Sequence, residues 1–177
     1  MRKGFVWMAL VSLFAIASLS VPAFAAGKGL ARADKAFVKS AASGGMMAVQ
    51  MSELAIKNAA SQEVKDFGQA MVTDHGKAND ELKSIVTGKD VKVPTELKGM
   101  QKGKVDKLSK LSGQEFDKKY MQAMLKDHVK DVAKFKKAAK NVKDPEINAF
   151  IVKTLPTLEQ HLANAKEVAK KVGLETK

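Results

Sequence analysis

The sequence predicts an all-α protein, a four-helix bundle with a long connection between its second and third helices that carries a short extra helix. Three observations predict it. Apolar residues recur at alternating steps of three and four in four long blocks. No block shows the two-residue alternation of a half-buried strand. Only a few residues separate the first block from the second, and the third from the fourth, so each pair should close as an antiparallel hairpin.

The first helix is expected from about Ala33 to Ala60, with Phe37, Ala41, Gly44, Ala48, Met51 and Ala55 on its apolar stripe. The Gly44-Gly45 pair weakens that helix or lets a neighbour come close. The second runs from about Gln62 to Val86 through Val64, Gly68, Met71, His75, Ala78, Leu82 and Ile85, with Ser61 as N-cap and Gly88 as its stop. A short helix is expected from about Pro94 to Lys110. The third long helix follows Ser112 to about Val142, with Met121, Leu125, His128, Val132, Phe135, Ala139 and Val142 in line. Asp144-Pro145 opens the fourth, an acid cap before a proline at the first helical position. Its stripe runs from Ile147 through Ile151, Leu155, Leu158, Leu162, Ala165 and Ala169 to Val172, and Pro156 is expected to kink it. From Gly88 to Leu111 there are 24 residues, which reach roughly 79 Å if extended. A 26-residue helix is about 39 Å long. The connection can therefore cross the whole bundle, as in ferritin-like topology, or fold back at one end.

Ahead of the bundle, Arg2 and Lys3 precede the apolar run FVWMALVSLFAIASLSV and then PAFAA, with Ala23 and Ala25 at the small positions of a signal-peptidase site. Residues 1–25 read as a secretory signal peptide, leaving 26–177 as one helical domain with its core at about 33–172. The run is also long enough to span a tilted bilayer, but Pro22 and the A-F-A sequence favour cleavage after Ala25. The expected location is the periplasm or cell envelope. With no cysteine, the chain can form neither a disulfide, internal or to a partner, nor a lipid thioether.

The formal charge is +12, and losing Arg2 and Lys3 with the leader lowers it to +10. That surplus suits anionic envelope surfaces, whereas export argues against nucleic acid as a partner. The densest lysines, Lys118, Lys119, Lys126, Lys130, Lys134, Lys136, Lys137 and Lys140, fall on several sides of one helix and read as a solvated surface. No phosphate loop, nucleophile elbow or H-E-x-x-H pattern is present, so no enzyme is expected. Tyr120 is expected to pack in the third helix.

The three histidines stand out against this scaffold. QAMVTDHGK, from Gln69 to Lys77, has a near copy in QAMLKDHVK, from Gln122 to Lys130. His75 and His128 fall on the inward stripes, and His161 at the edge of the fourth. Each lies near mid-helix, so either topology brings them within roughly one or two turns of a common layer. Three converging imidazoles can bind a divalent transition metal such as zinc, copper, iron or nickel. The alternative is three buried side chains satisfied separately by carbonyls, carboxylates or water. Asp131, one turn after His128, is the inward carboxylate candidate. Met71 and Met124, one turn before their histidines, would add thioethers suited to copper, though methionine on such a stripe also serves as core filler. Asp74 and Asp127 are expected to reach adjacent helices, each orienting the other repeat's imidazole.

The segments GGMMAVQMSELA, ASQEVKDFGQAMVTDH, LSGQEFDKKY, LKDH and LPTLEQHL together resemble a large bacterial family of small exported helical proteins, catalogued as a domain of unknown function and often labelled predicted outer-membrane proteins. The resemblance implies a ferritin-like four-helix core over about Ala33 to Val172, and it supplies no activity. Carried over, the family's D-H pairs fall on Asp74-His75 and Asp127-His128 and its last histidine on His161. Members commonly carry glutamate where this chain has Ala48. A ferritin-type di-iron centre needs Glu-x-x-His on two helices; Val72, Leu125 and Leu158 stand at the glutamate positions here, so that centre is excluded.

Overall fold

The computed structural model describes residues 29–175; the expected signal peptide, residues 1–25, lies outside them. Five helices follow in order: α1 Arg32–Asn58, α2 Gln62–Ile85, α3 Gly99–Leu108, α4 Gly113–Asn141 and α5 Pro145–Lys171. The short helix is thus a narrower element than expected: the chain from Pro94 to Lys98 is irregular, bending at Thr95 and Glu96, and Leu97, Val105 and Leu108 pack the segment on the core. The caps follow the sequence. Ser61 Oγ accepts from the Val64 amide at the start of α2, and the Asp144 carboxylate accepts from Glu146 and Ile147 ahead of Pro145. Each satisfies amide donors that the first helical turn leaves free. Ser112, by contrast, makes no side-chain cap. Pro156 lies within α5, which continues through it.

The core comprises two apolar clusters, and the helices run through them in opposite senses. One cluster holds the end of α1 (Met51, Ala55), the start of α2 (Val64, Phe67, Met71), the start of α4 (Phe116, Tyr120, Met124) and the end of α5 (Ala165, Ala169). The other holds the start of α1 (Phe37, Val38), the end of α2 (Leu82), the end of α4 (Val132, Phe135) and the start of α5 (Ile147, Ile151, Leu158). It follows that α2 and α4 run parallel, and α1 and α5 run opposite to both. Helix α2 packs against α1 and α5, and α4 against the same two, so α2 and α4 are diagonal. The chain from α2 to α4 therefore traverses the bundle's full length, which is the single crossover of ferritin-like bundles.

Two aspartates lock the ends. Asp117 on α4 accepts both the Ala60 and Ser61 amides in the α1–α2 turn, at 3.0 and 2.9 Å. Asp34 on α1 accepts the Lys143 and Asp144 amides in the α4–α5 turn, at 3.1 and 2.9 Å. Both carboxylates are buried. Each hairpin thus clamps the other's turn. Close packing of α1 on α2 is set by glycine: a Cβ at Gly68 would lie 3.1 Å from both the Ser52 carbonyl and the Ala55 Cβ.

The buried faces are rotated slightly from the expected stripes. Ala42 and Gly45 are buried where Ala41 and Gly44 were expected, and Met124 and Ala138 where Leu125 and Ala139 were. A stripe drawn at strict three-four steps drifts around the axis of a helix that has 3.6 residues per turn.

Candidate metal centre

On each of three helices, one histidine occupies the step between the two clusters. In α2, His75 follows Met71 of the first cluster and precedes Leu82 of the second; in α4, His128 stands between Met124 and Val132; in α5, His161 stands between Leu158 and Ala165. All three are buried, His128 and His161 almost completely. One nitrogen from each lies within 4.8 Å of the other two. Three points so spaced fit within about 2.8 Å of a common centre, so nitrogen bonds of about 2.0–2.1 Å to a metal need each ring to close in by under about 1 Å. The ring centroids are 5.3–5.6 Å apart.

Hydrogen bonds fix the tautomers of two rings. His128 Nδ1 lies 2.9 Å from the Met124 carbonyl oxygen, which can only accept, so Nδ1 carries the proton and Nε2 keeps its lone pair, which faces His75. His161 Nε2 lies 2.9 Å from Asp74 Oδ2 and donates to that carboxylate. Its Nδ1 is left with the lone pair, and that atom is buried without a hydrogen-bond partner among the described residues. An orphaned buried acceptor costs roughly 1–3 kcal/mol. His75 Nε2 faces His128 Nε2 at 3.4 Å, a long contact. The oriented rings, each held through its far nitrogen, form the support typical of metal-ligating histidines.

Burial sets the charge of the layer. It lowers the His75 pKa to about 3, with the two neighbouring imidazoles adding to the effect. Burial also lowers the His128 pKa, outweighing the bond to Met124, and that of His161, outweighing Asp74. Burial thus favours the neutral form of all three rings, the form in which an imidazole keeps a lone pair for a metal.

The remaining candidates separate from the trio. Asp131 does not join the grouping of ligand atoms; it is half-buried, pairs with Lys134 at 3.0 Å and faces Gly44 on α1. Met71 and Met124 are fully buried in the first apolar cluster, where they pack with Met51, Phe67 and Met121. Asp74 does reach an adjacent helix and orient an imidazole, but that of His161 on α5 and not that of the other repeat. The reason is topological: α2 adjoins α5 and lies diagonal to α4. Asp127 orients no imidazole. Both its oxygens accept from Lys104 at 2.8 and 2.9 Å, tethering α3 to the bundle. Ala48 is buried and belongs to neither cluster. Gly45 opposite Asn79, and Gly68 opposite Ala55, set an antiparallel register that puts Ala48 level with His75.

The orphaned Nδ1 of His161 and the pairing of Asp74 with α5 lay beyond sequence reasoning, since both require knowing which helices are neighbours. The equal depth of the three histidines was the one signal available.

The description of a domain of unknown function, DUF4142, matches residues 19–168. No curated protein is a significant match to this chain. Solved structures share the fold at low identity. A DUF305 fragment from Deinococcus radiodurans is 10% identical with a TM-score of 0.71, covering 81% of this chain and 99% of that one. A DUF305 candidate secreted protein from Streptomyces coelicolor is 14% identical with a TM-score of 0.70, covering 82% and 96%. CopM in its Cu(I)-bound form is 17% identical with a TM-score of 0.66, covering 80% and 98%. No helix among the described residues is long and apolar enough to cross a membrane.

Proposed function

The chain belongs to the DUF4142 family, whose function is unknown, and from the geometry of its histidine layer we propose that it is an exported protein that reversibly captures a transition-metal ion through His75, His128 and His161. The observation that carries this reading is the orphaned Nδ1 of His161, a buried lone pair with no partner among the described residues, in a group of three buried histidines whose ligand atoms lie within 4.8 Å of one another. An ion held there would restore the missing interaction. His75 Nε2, His128 Nε2 and His161 Nδ1 would hold it.

Charge narrows the choice among zinc, copper, iron and nickel. Among the described residues no carboxylate belongs to the ligand grouping, so the ion keeps its full charge in a low-dielectric site, where burying charge is costly. A monovalent ion suffers least, and imidazole suits copper. Cu(I) is therefore the first candidate, and the shared fold of the Cu(I)-bound CopM supports it. Export rests on the leader and on the likeness to the Streptomyces protein. The role is capture, not turnover.

Competition titration of the mature protein against Cu(I) and Zn(II) chelators tests the reading. One equivalent should bind more tightly than micromolar, and the triple variant His75→Ala, His128→Ala, His161→Ala should lose it. Weaker binding by the wild type, or equal binding by the variant, overturns it.

A second reading concerns the basic surface. Between α3 and α4 a groove floored by Met51, Leu108, Leu111 and Ala123 is rimmed by Lys107, Lys119 and Lys126, none of which forms an ion pair among the described residues. This supports contact with anionic envelope lipid. Binding to anionic vesicles should weaken with salt; retention unchanged between low and high salt opposes it.

A further inference from the structure

Resting on the metal-capture reading, we infer that the cleft between α2 and α5 is the port through which the ion reaches the histidines, and that Asp74 is the carboxylate that receives it. A buried site needs a path, and the surface offers one. A cleft of about 240 Å³ is lined by Asp74, His75, Glu81, Lys153, Thr157 and His161, so two of the three imidazoles form its wall. On the opposite side, the α1–α4 cleft is lined by Gly44, Met47, Asp127 and Asp131 and contains no histidine.

The charges differ as well. The α1–α4 cleft carries Lys39, Lys104, Lys130 and Lys134 against two aspartates, a surplus that repels cations. In the α2–α5 cleft, Lys153 is neutralised by both oxygens of Glu81 at 2.9 Å, a pair that spans the two helices. Lys77 also lines it, without an ion pair among the described residues. Among the described residues Asp74 is bonded only to His161, and its side chain is 40% exposed while that of His161 is 4% exposed. One carboxylate therefore touches both solvent and the buried ring. It can bind a cation at the surface through its free oxygen while holding His161 Nε2–H, leaving His161 Nδ1 to accept the ion inside.

Kinetics separate the port from the site. Loading is followed by the absorbance lost when the full mature protein takes Cu(I) from a chromophoric chelator, and release by the reverse transfer. Thr157→Trp fills the cleft from the exposed face of α5 and should slow loading and release together by at least tenfold, with Kd unchanged within about twofold. Ser43→Trp, in the α1–α4 cleft, should load as the wild type does. Asp74→Asn keeps an oxygen for His161 but removes the charge, and should slow loading more than release. The port is overturned if Thr157→Trp and Asp74→Asn both load at the wild-type rate, or if Ser43→Trp is the slow variant, while equilibrium binding persists. Wild-type protein that takes up no Cu(I) overturns the site and the port together.

Discussion

Acid should destabilise the metal-free protein from about pH 6.5 downward, through its buried histidines. Folded His75 has a pKa of about 3, against 6.5 for an ordinary imidazole. As pH falls below 6.5, the unfolded state takes up a proton that the folded state refuses. Stability therefore declines from pH 6.5 downward, the loss stops growing below about pH 3, and above 6.5 nothing is lost. At pH 5 the His75 contribution is 2.303RT multiplied by the 1.5-unit gap, or about 2 kcal/mol. His128 and His161 shift in the same direction and deepen the loss. Asp144, whose pKa is lowered mainly through Lys89 and the amides it caps against the opposing effect of burial, begins to lose its stabilising effect only near 3.8 and below. The window from pH 7.5 to 5 thus belongs to the histidines. Urea unfolding followed by circular dichroism, with chelator present and ionic strength fixed, should show a midpoint lower by about 1 M at pH 5, given a urea slope of about 2 kcal/mol per M. A triple His→Leu variant should lose most of that difference. An unchanged wild-type midpoint, or the same drop in the variant, would refute the claim that the layer is held neutral by burial.

Three other substitutions probe the architecture. Asp117→Ala strands the Ala60 and Ser61 amides and should cost about 2–4 kcal/mol by chemical denaturation, two unmet donors at the lower end of the usual range. Gly68→Leu drives a side chain into the Ser52 carbonyl and Ala55 and should cost about 1–3 kcal/mol in the same assay. Ala48→Glu places a carboxylate level with His75; it should lower the stability of the empty protein and raise its preference for Zn(II) over Cu(I) in chelator competition, because an anionic ligand offsets the second positive charge.

The four long helices and two of their caps were legible because they depend on local patterns: Ser61 and Asp144 announce helix starts, and the apolar steps announce faces. The depth of the histidines was legible for the same reason, since rise per residue is fixed. Neighbour relations were not. Which helix Asp74 meets depends on whether the long connection crosses the bundle, and a span that reaches either end leaves that open. Asp127 shows the same limit, since its partner Lys104 lies on α3, a helix whose register against α4 no periodicity reports. The aspartates at the hairpin turns were missed too. Asp34 in the first turn of α1 looks like an ordinary response to the helix dipole, Asp117 one turn into α4 looks like a surface acid beside Glu115, and nothing local shows that either reaches the opposite hairpin.

Those end clamps also bear on precision in the middle. The histidine triangle must close by under about 1 Å to hold an ion, whereas a one-residue slip along a helix shifts a side chain by about 1.5 Å. Asp117 ties α4 to the turn from which α2 begins, so His75 and His128 are both measured out from a single fixed mark, in parallel helices. Asp34 does the same for α5 from the other end. The bundle works as a gauge block, with tolerances at the centre set by stops at its two ends.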